Sequence, residues 1–186
     1  CAVAHSYTQQ IGTADLLRGL ADPSRWLLHS GDYTSKRHSP LTQITPENVS
    51  RLLPLWTFEA GVGSGGRDKF EATPIAIDGN LYVTGLLNHA WAIDGRTGAL
   101  IWHYERKLPY DPRVCCGMVN RGFAVSGNRL FMATLDAHVM AIDRKTGIPI
   151  WDVPMADYRL GYSSTAAPLV VKDKLIVGMS GGELAT

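Results

Sequence analysis

An all-β fold made of successive four-stranded antiparallel sheets, each the size of a β-propeller blade, is predicted by three observations. The chain repeats: Leu81-Tyr82-Val83 recurs as Leu130-Phe131-Met132, Ala92-Ile93-Asp94 as Ala141-Ile142-Asp143, Thr97-Gly98 as Thr146-Gly147 and Trp102 as Trp151, each pair 49 residues apart. Within a repeat, short apolar runs alternate with turn-forming residues, the pattern of strands and not of helices. Four such runs per repeat are what one blade requires.

Composition narrows the function classes. With 45% hydrophobic residues there is material for a core, and a formal net charge of +1 with 19% charged residues gives no field that would draw nucleic acid or a membrane surface. No apolar run approaches the roughly 20 residues of a membrane-spanning helix. The opening Cys1-Ala2-Val3-Ala4-His5-Ser6 is too short for a signal peptide and could be the remnant of one. Three cysteines are an odd number, so a pair made by Cys115 and Cys116 leaves Cys1 over, and its lipidation stays open.

Residues 1–66 lack the repeat and read as an N-terminal arm with short helices and one outer strand. Thr13 is expected to cap a helix over 14–20, which Asp22-Pro23 would end. Thr45-Pro46-Glu47-Asn48 reads as a second helix start, with Thr45 as cap and Pro46 in the first turn. Residues 54–58 resemble the closing strand of the repeat seen at 100–102 and 149–151, which places an outer strand ahead of the first full repeat. A glycine-rich loop follows at 61–66.

Strands are expected at 74–77, 81–84, 90–93 and 99–103, then at 124–125, 130–134, 139–142 and 149–153, and in a third unit at 168–171 and 175–178. Residues 67–186 thus divide into blades at about 67–106, 107–155 and an incomplete 156–186. About two and a half blades would leave long unpaired edges and cannot close a ring, so the chain is expected to be part of a larger protein.

Blade topology also forecasts which residues meet. Counting back from the start of each second strand, Glu71, Arg121 and Thr165 all lead into innermost strands, nine or ten residues before Leu81, Leu130 and Leu175. Ser180-Gly181-Gly182-Glu183 forms a turn after the second strand of the third unit, on that same face. A carboxylate, a guanidinium, a hydroxyl, a Gly-Gly turn and a second carboxylate therefore converge at one end of the ring axis, with Cys115-Cys116 beside Arg121. Arg121 suits either an ion pair between blades or a ligand carrying carboxylate or quinone oxygens. Glu71 suits the other half of that ion pair, and Glu183 either a solvated turn or an oxygen ligand for a hard cation. The histidines lack zinc-like spacing. Cys115 and Cys116 admit three readings: unpaired thiols, a strained vicinal disulfide, or a redox-active pair.

Taken together, Glu71-Ala72-Thr73-Pro74, Cys115-Cys116-Gly117-Met118-Val119-Asn120-Arg121-Gly122, Thr165-Ala166-Ala167-Pro168 and Ser180-Gly181-Gly182-Glu183-Leu184, set among the Asp94-to-Trp102 and Asp143-to-Trp151 repeats, resemble the pyrroloquinoline-quinone (PQQ)-dependent methanol and ethanol dehydrogenases. The resemblance runs from about Trp26 to the end. It implies an eight-bladed propeller in the periplasm in which each blade's outer tryptophan stacks on its neighbour. It implies that Cys115 and Cys116 form a vicinal disulfide against the quinone. Glu71, Val119, Arg121, Thr165, Ser180, Gly181 and Gly182 would line the PQQ, with Glu183 as a ligand to calcium or a lanthanide. Gly182 leans the substrate toward ethanol-like alcohols. The activity implied is oxidation of a primary alcohol to an aldehyde by hydride transfer, with a cytochrome c as electron acceptor. The catalytic base, the second metal ligand and the tryptophan floor of the site are expected beyond Thr186, and the oligomeric state, a homodimer included, stays open. The alternative is a cofactor-free propeller scaffold of the outer-membrane assembly type, which would share the repeat but has no need of the residues gathered at its axis.

Overall fold

The structure, a computed structural model, describes residues 10–61, 69–109, 114 and 117–184. Its first regular element is helix α1 (Thr13–Arg18). The cap is Gly12, one residue earlier than Thr13, because the Asp15 carboxylate reaches back to accept the Gly12 N–H at 2.9 Å and so completes the first turn from inside the helix. A 3-10 turn, Gly19–Ala21, ends the helical stretch ahead of Asp22. The start at Thr45 yields one turn, with Val49 N–H donating to Thr45 O at 2.9 Å, and then a 3-10 turn at Val49–Arg51.

Two four-stranded antiparallel sheets follow. Strands β1 (Ile75–Ile77), β2 (Asn80–Thr84), β3 (Ala90–Asp94) and β4 (Leu100–Tyr104) pair in chain order. So do β5 (Ala124–Ser126), β6 (Arg129–Ala133), β7 (His138–Asp143) and β8 (Pro149–Pro154). A third sheet holds β9 (Leu169–Val171) and β10 (Lys174–Ile176). The pairings are the successive hairpins of propeller blades, and the fold is a β-propeller.

The repeat reaches atomic detail. Both outer hairpins shift register at the same place, between Ala92 and Ile93 and between Ala141 and Ile142, which twists the outer strand across the blade. In both outer turns an aspartate folds the chain back: Asp94 Oδ1 accepts from Arg96 N, Thr97 N and Thr97 Oγ1, and Asp143 Oδ1 from Lys145 N, Thr146 N and Thr146 Oγ1, all at 2.8–3.1 Å.

The glycines that follow explain the tryptophans. Gly98 and Gly147 have φ of +74° and +73°, and a Cβ at either would stand 2.7 Å from the indole of Trp56 or Trp102. Each indole lies flat on the turn of the next blade and donates its N–H there, Trp56 to Gly95 O at 3.2 Å and Trp102 to Arg144 O at 2.9 Å. Trp56 makes this contact without the strand expected over 54–58: residues 52–60 form no ladder, and the indole alone docks. Inside the blades, Tyr82 meets Trp102 and Phe131 meets Trp151 at ring distances of 6.2 and 5.8 Å, so one main core runs continuously between the sheets. The central strands of the first sheet bury both faces, one against the second sheet and the other under Trp56, Phe58 and Ala60 of the arm, and the outermost strands stay largely exposed.

Candidate cofactor-binding site

The segments leading into the three innermost strands form a hydrogen-bonded chain. Thr73 N–H, ahead of β1, donates to Arg121 O at 3.1 Å, and Arg121 N–H, ahead of β5, donates to Thr165 O at 3.0 Å, ahead of β9. Successive blades are thus stitched at one end of their inner edges, and the side chains of these segments share one neighbourhood. Gly122 permits it: its φ is +139°, and a Cβ there would stand 3.1 Å from Thr73 O.

The Arg121 guanidinium sits at the centre. Its Nη2 lies 2.8 Å from Glu71 Oε2, and Nη1 donates to Thr165 Oγ1 and, at 3.4 Å, to Thr165 O. Glu71, Arg121 and Thr165 therefore meet as the blade count forecast. The Arg121 and Glu71 side chains remain 38% and 32% exposed, so the ion pair presents unfilled donor and acceptor capacity to the outside.

The 180–183 turn is held beside them through Ser163. Ser163 and Ser180 exchange both backbone hydrogen bonds, at 3.0 and 2.9 Å, and their hydroxyls lie 3.1 Å apart. Ser164 Oγ–H donates to Gly178 O at 2.7 Å. Gly181 has φ of +96° and packs so tightly that a Cβ would stand 1.8 Å from Gly161 O; at Gly182 a Cβ would meet the Tyr162 ring at 3.3 Å. At Gly181 only backbone fits, because the turn packs directly on the 161–162 backbone. Glu183 projects from the short Gly182–Leu184 turn and is exposed. Among the described residues no three histidine, cysteine or acidic side chains gather as a metal site. Val119 is buried, at 3% exposure. Cys115 and Cys116, and with them the expected disulfide, lie outside the described residues.

Several residues that sequence reasoning missed hold this ground in place. Asn120, buried, donates Nδ2–H to Ala133 O at 2.8 Å and accepts Gly122 N–H at 3.1 Å. Leu87 N–H donates to Met118 O at 2.9 Å, and Asn88 Oδ1 accepts Leu135 N–H at 2.8 Å. Arg106 grips Asp136 through two bonds of 2.7 Å and Asp152 through one of 2.8 Å. Burial, the largest single influence, raises the Asp136 carboxyl, but the hydrogen bonds from Arg106 and Thr134 together with the Arg106 charge hold the group below its ordinary value. His29, from the arm, places Nδ1 3.1 Å from Arg121 O. Single asparagines, arginines and histidines in a sequence carry no sign of such partners; only the Arg121 neighbourhood had a spacing rule to expose it.

With that geometry in hand, comparison with known proteins is specific. Residues 26–185 match the family described as "PQQ: Glucose/ethanol/alcohol dehydrogenase, beta-propeller domain". The 1-butanol dehydrogenase (quinone) of Thauera butanivorans is 43% identical over 155 residues, covering 80% of this chain and 25% of that protein. The quinoprotein alcohol dehydrogenase PedH of Pseudomonas putida is 38% identical over 173 residues, covering 93% of this chain and 29% of that protein. A solved europium-containing methanol dehydrogenase superposes with a TM-score of 0.83 at 36% identity, over 91% of this chain and 30% of its own. The chain therefore spans between a quarter and a third of the length of these relatives. No helix among the described residues is long and apolar enough to cross a membrane. Because the match runs from the arm through all three sheets, this chain belongs to the PQQ glucose, ethanol and alcohol dehydrogenase β-propeller family.

Proposed function

We propose that the protein to which these residues belong is a periplasmic quinoprotein that oxidises a primary alcohol to an aldehyde with PQQ and calcium or a lanthanide. The observation that carries this reading is the partly exposed Arg121 guanidinium, held between Glu71 and Thr165 at the meeting of three blades. A planar anionic quinone suits that set, because the guanidinium offers donors to ring oxygens or carboxylates. Glu183 would give one oxygen to the metal, whose remaining ligands come from residues outside this chain. The names of the relatives, among them a lanthanide-dependent methanol dehydrogenase and a 1-butanol dehydrogenase (cytochrome c), support both the metal choice and a cytochrome c acceptor.

When bound, PQQ would supply the acceptor for the hydride that leaves the alcohol carbon, while the hydroxyl proton passes to a base outside residues 1–186. The residues of this chain bind and orient. Arg121 would place its charge beside a quinone oxygen, and Glu71, 2.8 Å from Nη2, holds the guanidinium in position. Thr165 fixes the second nitrogen of the fork. Ser180, Gly181 and Gly182 would set the distance of closest approach, and glycine at 182, as the family resemblance implies, leans the substrate toward ethanol-like alcohols. Val119, buried beside the cysteine stretch, would back the quinone from below. Cys115 and Cys116 would be joined as a vicinal disulfide. Such a bond closes almost no loop, so its role is to shape a surface rather than to staple the chain. A cofactor-free scaffold has no use for these groups.

The test is reconstitution of the full-length apoprotein with PQQ and either calcium or lanthanum, followed by reduction of an artificial acceptor with ethanol, 1-butanol and methanol. Metal-dependent PQQ uptake with alcohol-dependent reduction is expected; uptake without turnover of any primary alcohol would overturn the assignment.

A further inference from the structure

The N-terminal arm reaches the inside of the propeller. Trp26 and Ala76 exchange both backbone hydrogen bonds, at 2.9 and 3.0 Å, and the other edge of β1 is already taken by β2. The arm therefore occupies the edge of β1 that faces the ring axis. Further along, Tyr33 Oη–H donates to Val170 O on β9 at 2.5 Å. Between these two contacts lies His29, whose Nδ1 is 3.1 Å from Arg121 O, in the lead-in to β5. One short stretch of arm thus touches three successive blades from within.

The chemistry of the His29 contacts is determined by its partners. A carbonyl only accepts, so Nδ1 must carry the hydrogen. Arg37 Nη2, 3.2 Å from Nε2, only donates, so Nε2 must offer its lone pair. The neutral Nδ1–H tautomer alone satisfies both. Burial first, and the Arg37 charge second, lower the basicity of the ring, in keeping with that neutral form. The peptide at Arg121 is accordingly pinned from three directions: its carbonyl by Thr73 N–H and His29, and its N–H by Thr165 O.

We propose that His29 is a positioning residue of the cofactor site: by donating Nδ1–H to the Arg121 carbonyl from the axial side, it fixes the peptide from which the guanidinium reaches Glu71 and Thr165. The inference rests on Arg121 being a quinone-binding group. His29 acts through that peptide and need not touch the quinone.

The test uses the full-length apoprotein titrated with PQQ in the presence of calcium, followed by the absorption and circular dichroism of the bound quinone. His29→Leu removes the donor, whereas His29→Asn returns an amide N–H close to the Nδ1 position. His29→Leu should bind PQQ roughly tenfold more weakly, the scale of one lost hydrogen bond, with an altered dichroic band. His29→Asn should recover most of the affinity and the wild-type band. Arg37→Leu, an exposed change that leaves the core untouched, frees the ring to adopt the other tautomer and should weaken binding in the same direction, which keeps the question answerable if His29→Leu does not fold. Wild-type affinity and band shape in His29→Leu or, failing its folding, in Arg37→Leu would overturn the proposal, as would a His29→Asn variant no better than His29→Leu. A wild-type protein that takes up no PQQ would instead remove the reading of Arg121, and this inference with it.

Discussion

The outer and inner edges of the blades obey opposite rules. At the outer edge the chain repeats itself: Asp94 and Asp143 make the same turn, Gly98 and Gly147 the same left-handed step, and Trp56 and Trp102 the same dock. At the inner edge, equivalent positions carry Glu71, Arg121 and Thr165, which share neither size nor charge and bond to one another. Where all blades do the same mechanical work, one solution is copied; where they surround a single centre, each contributes a different group. Departure from the repeat, at a position the repeat defines, is thus what marks the candidate site in this fold.

That contrast is open to direct attack in the full-length protein. Trp102→Ala should have the largest effect on stability, about 3–5 kcal/mol in chemical denaturation, since it empties a buried indole site and orphans the acceptor at Arg144 O. The folded fraction should still bind PQQ; loss of binding in proportion beyond unfolding would erase the division between the edges. Arg121→Ala should do the reverse. Its ion pair is partly exposed, so stability should change by less than about 1 kcal/mol. PQQ affinity should drop by roughly ten- to a hundredfold, as one or two charged hydrogen bonds disappear. Equal affinity by titration would refute the site.

Smaller effects sharpen the same point. Asp143→Ala removes a carboxylate whose Oδ1 accepts three hydrogen bonds and whose Oδ2 accepts one from Asn128, and should cost about 1–2 kcal/mol, with PQQ affinity unchanged. The smallest effect concerns pH. Burial, reinforced by His103 and opposed by Glu105, holds His89 below its ordinary value of 6.5, and its Nδ1 lies 2.9 Å from His103 Nε2. Well above pH 6.5 the ring is neutral in both folded and unfolded chains and contributes no pH dependence. Below it the unfolded chain takes up a proton that the folded one resists, so stability falls until the pH passes the lower, folded value. Urea midpoints at pH 7.5 and 5.5 should differ less in His89→Phe than in the wild type; an equal difference would assign the slope elsewhere.

Much of this architecture was legible before any coordinates. The sheets and their order could be read because alternation and turn chemistry act between residues close in the chain, and a copied unit shows the same signals twice. The meeting of Glu71, Arg121 and Thr165 could be read as well, because the blade supplied a ruler. Local signals failed where partners were interchangeable. Thr13 looked the better cap, yet Asp15 had already closed the turn onto Gly12. The stretch 54–58 looked like a strand, yet Trp56 docks from unpaired backbone.

By itself, then, the sequence determined the blade, its repeat and the face on which unlike residues collect, since these depend on spacing along one chain. Tertiary structure alone decided that Arg106 would grip Asp136, that Gly181 would leave no room for a side chain, and that His29 would meet Arg121 O across 92 residues. The physical reason is the same in each case: a hydrogen bond or a close approach is specified by where two segments cross, and no single segment records its crossing.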